Sequence, residues 1–321
     1  AAIIGGGPTG IAAAYFLARG GVETTIFERE AKLGGVPRYV IPAFRISDEA
    51  LDKDVALMER LGVEVKCGAP APSVEALKKL GYTHILMATG AWQAGELGIP
   101  GNVKGVIGWM KEMKQQVKPC LEGHVVVVGA GNTAMDAARV AKRMGAASST
   151  IVYRRTKKEM PADEHELKLA IDEGVNLVEL AAPVEQKDGK LICNQMKLGE
   201  PDASGRRSPV ATGETFEIPC DLVISAIGEK VDAKLMAENG IEMGRKGPAF
   251  QTNVENVWSA GDAHRGPATV VEGIADAAAF AEAVIGAAHT YEIPEQAYPT
   301  KADAIAKKGT LHMAGCAGCE G

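Results

Sequence analysis

Apolar positions in this chain fall into short unbroken runs, most of them ending in glycine turns and alternating with segments of helical period. Buried strand, turn, then helix is the pattern of parallel sheets covered on both faces. The first run, residues 1–4, meets a glycine turn at 5–10, a helix over 11–19 and a second strand that ends on Glu28. The same unit returns once, with a strand from His124, a turn from Gly129 and a second strand running from Thr150 to Arg155. Around these units the chain predicts a helix capped by Ser47 and closed by Gly62, with Leu51, Val55, Met58 and Leu61 facing inward. A strand over 63–66, a helix over 73–80 and a buried strand over 83–90 follow, and residues 92–121 read as a crossing with one short helix over 109–117. Past the second unit, Pro161 opens a helix through Asp172, and 175–180, 191–198 and 215–218 read as strands of an antiparallel excursion around a polar hairpin at 200–205. Runs 221–228 and 256–262 are further buried strands ending in glycine turns, and Thr269 starts an alanine-rich helix to about Ile285. The loop from Lys32 to Arg45 is rich in Gly and Pro, and no period is visible from His289 onward.

The expected fold is therefore α/β, with two Rossmann-like dinucleotide-binding domains, one inserted into the other. Residues 1–95 and 247–288 form the first, 96–246 the second, and 289–321 a tail.

Each part of the repeated unit has a physical task. In the first copy Gly5 permits the tight turn, Gly7 lets backbone approach a pyrophosphate on the helix N-terminus, and Gly10 allows close helix–strand packing. Glu28 can accept hydrogen bonds from an adenosine ribose. A lone G-x-G-x-x-G is weak; here strand, helix and acid are all in place. The second copy keeps Gly129 and Gly131, replaces the third glycine by Ala134, and ends in Arg154 and Arg155 where the first has an acid. Guanidinium groups bind a 2′-phosphate bidentately, and a carboxylate repels it. The first site is expected to hold an adenosine with a free ribose, and the second NADP(H).

At 321 residues and 46% hydrophobic content the chain can bury one or two cores. A formal charge of −6 without a basic, aromatic-interleaved stretch speaks against nucleic acid. Neither a membrane span nor a signal peptide is visible, and the start on a strand reads as a fragment of something longer. Six scattered cysteines, with only Cys316 and Cys319 close together, fit a reducing cytoplasm rather than a disulfide framework.

The ordered motifs resemble two-dinucleotide-binding-domain flavoproteins, and more narrowly the small (β) subunit of NADPH-dependent glutamate synthase and its relatives, the selenate reductase subunit type among them. The resemblance covers nearly the whole chain to about residue 288. It is specific at Gly34 and Gly35 followed by Ile41, Pro42, Phe44 and Arg45, at the Gly129–Asp136 stretch, at Tyr153, Arg154 and Arg155 followed by Met160 and Pro161, and at Ala260, Gly261 and Asp262. It implies FAD and NADPH as cofactors. Gly5, Gly7, Pro8, Thr9 and Gly10 would hold the FAD pyrophosphate and Glu28 its ribose. Gly35, Val36 and Arg45 would flank the flavin and its phosphates, Asp262 would contact the ribityl–phosphate region, and amides near Thr269 and Val270 would face the flavin pyrimidine ring. Gly131, Asn132 and Thr133 would cradle NADPH, with Arg154 and Arg155 on its 2′-phosphate. Arg29, Thr89, Gly90, Gly129, Gly228 and Gly261 complete the implied cofactor-binding set.

Two departures matter. Val36 and Pro37 follow Gly35 where disulfide reductases carry a cysteine pair, which counts against disulfide chemistry. The iron–sulfur domain that precedes the flavin domain in the glutamate synthase subunit is also missing. Cys316 and Cys319 would be metal ligands, the first half of a 4Fe–4S site, or else two idle thiols; a cluster normally needs four thiolates. The implied function is an NADPH-oxidising flavoprotein module that passes electrons to an iron–sulfur domain or partner subunit, with no acid–base residue of its own. Its rivals are a self-contained NADPH-dependent reductase of a small molecule and an inert flavin-binding assembly module.

Overall fold

In the computed structural model, which describes residues 1–201, 205, 207–244 and 250–286, the chain opens on β1 (Ala2–Ile4), α1 (Pro8–Arg19) and β2 (Thr25–Glu28). It continues through α2 (Gly35–Tyr39), α3 (Asp48–Glu59), β3 (Glu64–Cys67), α4 (Val74–Lys79) and β4 (Ile85–Met87). After β5 (Gln93–Ala94) come β6 (Val103–Gly105), α5 (Val106–Lys114), β7 (His124–Val128), α6 (Asn132–Arg143) and β8 (Ser148–Val152). Next are α7 (Glu164–Asp172), β9 (Asn176–Val178), β10 (Ala181–Lys187), β11 (Lys190–Pro201), β12 (Arg207–Pro219) and β13 (Leu222–Ser225). The described chain closes with β14 (Glu229–Lys230), α8 (Ala233–Glu238), β15 (Val257–Ser259), α9 (Asp262–Arg265) and α10 (Val270–Ile285).

The local chemistry of the helix starts is plain. Ser47 and Ser73 accept the amides of Ala50 and Ala76, and Thr269 forms a capping box with Glu272. Two five-stranded parallel sheets result, in the orders β15-β4-β1-β2-β3 and β6-β13-β7-β8-β9. They have the same spatial plan: β7, β8, β9 and β13 repeat the places of β1, β2, β3 and β4. The outer strand is supplied last in the first sheet, by β15, and first in the second, by β6. Central strands buried on both faces explain the unbroken apolar runs, since a helix layer or a second sheet covers each side. On one face of the first sheet Ile3, Ile26 and Leu86 pack with Leu17 of α1 and Phe280 of α10. The second sheet packs α5 and α6 on one face, and on the other Val126, Val152 and Val223 meet Leu191, Cys193 and Ile218 of the antiparallel sheet β10-β11-β12.

Several elements differ from expectation. The run at 175–180 supplies β9 to the parallel sheet, whereas the antiparallel sheet includes β10, which sequence reading missed because Pro183 lies in it. A register shift between Pro183 and Glu185 accommodates that proline. The helix expected at 109–117 spans 106–114, because Gly105 caps it and Val106 is buried. Asp163 rather than Pro161 starts α7, its carboxylate accepting the amide of His165 at 2.8 Å. The loop after Glu28 contains the short helix α2. Val231, Met236 and Ile241 pack with Ile4, Phe27 and Ile85, so the chain rejoins the first core well before residue 247.

One ion cluster ties α6 to the end of α7. Glu173 accepts from Arg139 at 2.6 Å and Arg143 at 2.7 Å, which holds its carboxyl down at about 2. A depressed carboxyl stabilises above its unfolded value, ordinarily 4.5, and that stability is lost as pH falls toward the folded value. Glu173→Gln is therefore expected to lower the urea midpoint at neutral pH, with the gap to wild type closing progressively as pH falls from about 5 through the folded value, to about pH 1. A gap that stays constant over that window would contradict the assignment.

Candidate functional site

A cavity of ≈ 550 Å³ opens at the carboxyl ends of β1, β2, β4 and β15. Most of the candidate residues of the first unit line it: Gly5, Gly7, Pro8 and Thr9 before and within α1, Glu28 and Arg29 after β2, and Gly35 and Val36 of α2. Thr89 and Gly90 after β4, Asp262, Thr269 and Val270 complete that side. The starts of α1 and α10 thus face one space, and their first amides have no acceptor within the helix. Pro8 occupies the first turn of α1, where a missing N–H costs nothing.

The turn geometry is forced. Gly5 has φ +109° and lies so close to the end of β4 that a Cβ would strike the Ala88 carbonyl. Gly129 repeats this at φ +150° against the Ala226 carbonyl at the end of β13. The two fingerprints are thus one device used twice. Gly10 packs under the turn, where a Cβ would meet the Gly5 carbonyl.

Glu28 is buried, and each carboxylate oxygen already accepts a backbone amide: Oε2 from Gly6 at 2.7 Å and Oε1 from Glu30 at 2.8 Å. The acid therefore braces the fingerprint turn while lining the cleft. Arg29 lies over the Trp92 ring, 5.0 Å from its centre. The Thr89 hydroxyl is buried without a hydrogen-bond partner. Asp262 accepts the Ala268 amide at 3.1 Å, and burial pushes its carboxyl up. Gly261, at φ +64°, donates its N–H to the buried Asp276 at 3.0 Å, and Arg265 grips that same carboxylate.

The second candidate group sits on the other sheet. Gly131 caps α6, and a Cβ there would meet open space. Asn132 Oδ1 accepts the Asp163 amide at 3.2 Å, and Thr133 follows it in the first turn. Arg154 and Arg155 come directly after β8, the place Glu28 holds in the first sheet; Arg154 is exposed, and the Arg155 Nε is buried without a partner. Gly228 lies between the lobes, its carbonyl accepting the Gly95 amide at 2.6 Å where β14 pairs with β5.

Arg45 departs from expectation and does not line the cleft. Its guanidinium is held by two carboxylates of the second lobe, Asp136 and Glu166, with Nη1 donating to Glu166 at 2.8 Å. Conversely, sequence reading missed Trp92, the Pro70–Ser73 segment, and Asp232, Leu235, Glu238 and Asn239 at or beside α8, all of which line the cavity. The signals for α8 were present: Asp232 caps the amides of Lys234 and Leu235, and Gly240 closes the helix at φ +71°.

Cys316 and Cys319 lie outside the described residues. Among the described residues no group of three metal-ligating side chains occurs, and no helix is long and apolar enough to cross a membrane. The four described cysteines are free thiols, none of which lines the cavity; burial pushes Cys193 up to about 12 and Cys220 up to about 11. The two buried thiols, Cys193 and Cys220, are inert.

Comparison with known proteins agrees with this architecture. The YgfK protein of Escherichia coli K12 is 40% identical over 295 residues, covering 88% of this chain and 29% of its own length. The NADPH glutamate synthase small chain of Halomonas elongata is 32% identical, covering 88% of this chain and 67% of that one. Relatives with 36% to 40% identity are longer, and this chain spans only 29% to 48% of them. Among solved structures, Mycobacterium tuberculosis FprA in complex with NADPH superposes with a TM-score of 0.74 at 19% identity, over 89% of this chain and 83% of that one, a likeness of fold. The family model of pyridine nucleotide-disulphide oxidoreductases matches residues 1–277, and the chain belongs to that family.

Proposed function

We propose that the chain is the NADPH-oxidising FAD module of a longer enzyme, taking electrons from NADPH at the second lobe and passing them from the first to an iron–sulfur domain or partner subunit. The observation that carries this reading is the opposed charge at equivalent places: Glu28 ends β2, whereas Arg154 and Arg155 follow β8. A carboxylate suits a free ribose, and a guanidinium pair suits a 2′-phosphate.

The residues present fit both groups. Toward FAD, the cavity offers the starts of α1 and α10, a buried Thr89 hydroxyl lacking a partner, and a gap beside Gly7 whose nearest atom to an added Cβ is Gly35 Cα at 3.8 Å. Toward NADPH, α6 starts at Gly131 in open space, with the unpartnered Arg155 Nε near by in sequence to β8. When bound, the two cofactors supply hydride transfer and the step from two-electron to one-electron chemistry. The chain itself binds, orients and supplies electrostatics. The amides at the start of α1 would receive negative phosphate, and the start of α10, with Thr269 and Val270 on the cavity, would favour negative charge on a group held there. Asp276 fixes the Gly261 turn and so the carboxylate of Asp262.

An anaerobic absorbance titration of the purified protein tests this. Yellow protein bleached far faster by NADPH than by NADH is expected, with sustained turnover only on adding a one-electron acceptor protein. Flavin-loaded protein left unchanged by both nucleotides would overturn the reading in favour of an inert assembly module. Sustained turnover on a small molecule alone would favour a self-contained reductase.

A further inference from the structure

The first-lobe loop between β2 and α3 is attached to the second lobe on both sides of Gly35 and Val36. Before them, Glu30 accepts from Lys111 of α5 at 2.6 Å. After them, Lys114 of α5 donates to the carbonyls of Pro37 at 3.0 Å and Ile41 at 2.5 Å. The Phe44 ring lies under the guanidinium groups of Arg139 and Arg143 of α6, at 4.5 and 4.2 Å. Arg45 then reaches Asp136 of α6 and Glu166 of α7. Of the α6 residues in these attachments, Asp136 comes first after the candidate nucleotide contacts: it sits one turn after Asn132 and is 8% exposed. A carboxylate so buried requires its partner, because leaving it unpaired is costly.

We propose that Asp136 is a positioning residue for electron transfer between the two nucleotide sites: through Arg45, it sets the flavin-side loop carrying Gly35 and Val36 against the nucleotide-binding helix α6. This rests on the FAD–NADPH reading above. Two sites that each bind well still react slowly if their rings meet badly, and a misplacement of about 1 Å can cost about 100-fold in rate. Neither Asp136 nor Arg45 lines the first-lobe cavity, so breaking their ion pair removes no contact from the flavin side, and the effect expected of it is on the relative placement of the two sites.

The test compares flavin-loaded wild type with Asp136→Asn, which keeps the shape and removes the charge. In anaerobic stopped flow with NADPH, the limiting bleaching rate is expected to fall about 10- to 100-fold, while flavin content and the NADPH dissociation constant stay within about twofold. In nucleotide-free protein, hydrogen exchange is expected to quicken at the Val40, Ile41 and Arg45 amides, which bond to the Val36 and Pro42 carbonyls, and to stay unchanged in α1 and α10. Asp136→Glu should restore part of the rate, and Arg45→Met combined with Asp136→Asn should cost no more than the worse single change. If Asp136→Asn yields no folded protein, Arg45→Lys, which keeps the charge and loses the fork, must show the same selective loss of rate.

A wild-type rate in these variants would overturn the proposal. So would rate, flavin content, nucleotide affinity and melting temperature falling together, the mark of a structural staple. A wild type that NADPH does not bleach would instead sink the cofactor reading itself.

Discussion

Changing Arg154 to Glu and Arg155 to Ala is expected to raise the KM for NADPH by about 100-fold while moving that for NADH by less than about threefold. The size follows from the contacts proposed for these arginines. Hydrogen bonds to charged groups contribute about 1.5–3 kcal/mol each, and a tenfold change in affinity corresponds to about 1.4 kcal/mol. Losing one bidentate grip on a 2′-phosphate and bringing a carboxylate toward it therefore accounts for two decades. NADH has no 2′-phosphate, so its ribose meets only a local change in charge, and the ratio of the two constants isolates the phosphate contact. Steady-state kinetics with both nucleotides and one artificial acceptor reads it directly. An unchanged preference for NADPH would remove Arg154 and Arg155 from the nucleotide site.

The legible features of this chain are those whose causes lie within a few residues. Ser47, Ser73 and Thr269 announce their helices because a cap and its amide are three residues apart. The doubled turn is readable because a positive φ beside a neighbouring strand end excludes any side chain at Gly5 and Gly129. The inserted arrangement is only partly readable, because the place of the last strand pattern, at 256–262, on the first sheet depends on the second sheet having its own edge strand. That edge strand, β6, is three residues long and carries Lys104 and Gly105, so nothing local marks it; pairing with Val223, Ile224 and Ser225 makes it a strand.

Features decided at a distance were misread. Arg45 in its local setting reads as a cofactor contact, yet its partners stand 91 and 121 residues further along the chain. Pro183 reads as a break until a bulge across from Cys193 and Ile192 absorbs it. The expected bounds 96–246 place the segment after Gly228 in the second lobe. Its burial against Ile4 and Phe27 returns it to the first. Glu28 lies between the two cases. Its place at a strand end was foreseeable, but its hold on the Gly6 and Glu30 amides was not, and this double duty alters what its removal does.

Replacing Glu28 by Ala is expected to weaken FAD retention by more than about 100-fold and to lower thermal stability as well. A carboxylate offers about four acceptor positions, so with one amide on each oxygen Glu28 retains capacity for two ribose hydroxyls. Two charge-assisted bonds of about 1.5–3 kcal/mol each give the affinity loss. The loss of stability has a separate cause: the Gly6 amide bonds inside the fingerprint turn, and without Glu28 it has no acceptor there. FMN separates the two effects, because it carries a flavin and a phosphate but no adenosine. If the ribose contact dominates, reconstituting the variant apoprotein leaves FMN affinity within about threefold of wild type while FAD affinity collapses toward it. If bracing the turn dominates, both ligands weaken together, because the α1 amides that receive phosphate are then displaced. Glu28→Gln sharpens the comparison. It keeps the length and one acceptor oxygen but turns an NH2 group toward either the Gly6 or the Glu30 amide, so it should show an intermediate loss for FAD. Full flavin occupancy of Glu28→Ala after extended dialysis would exclude both roles.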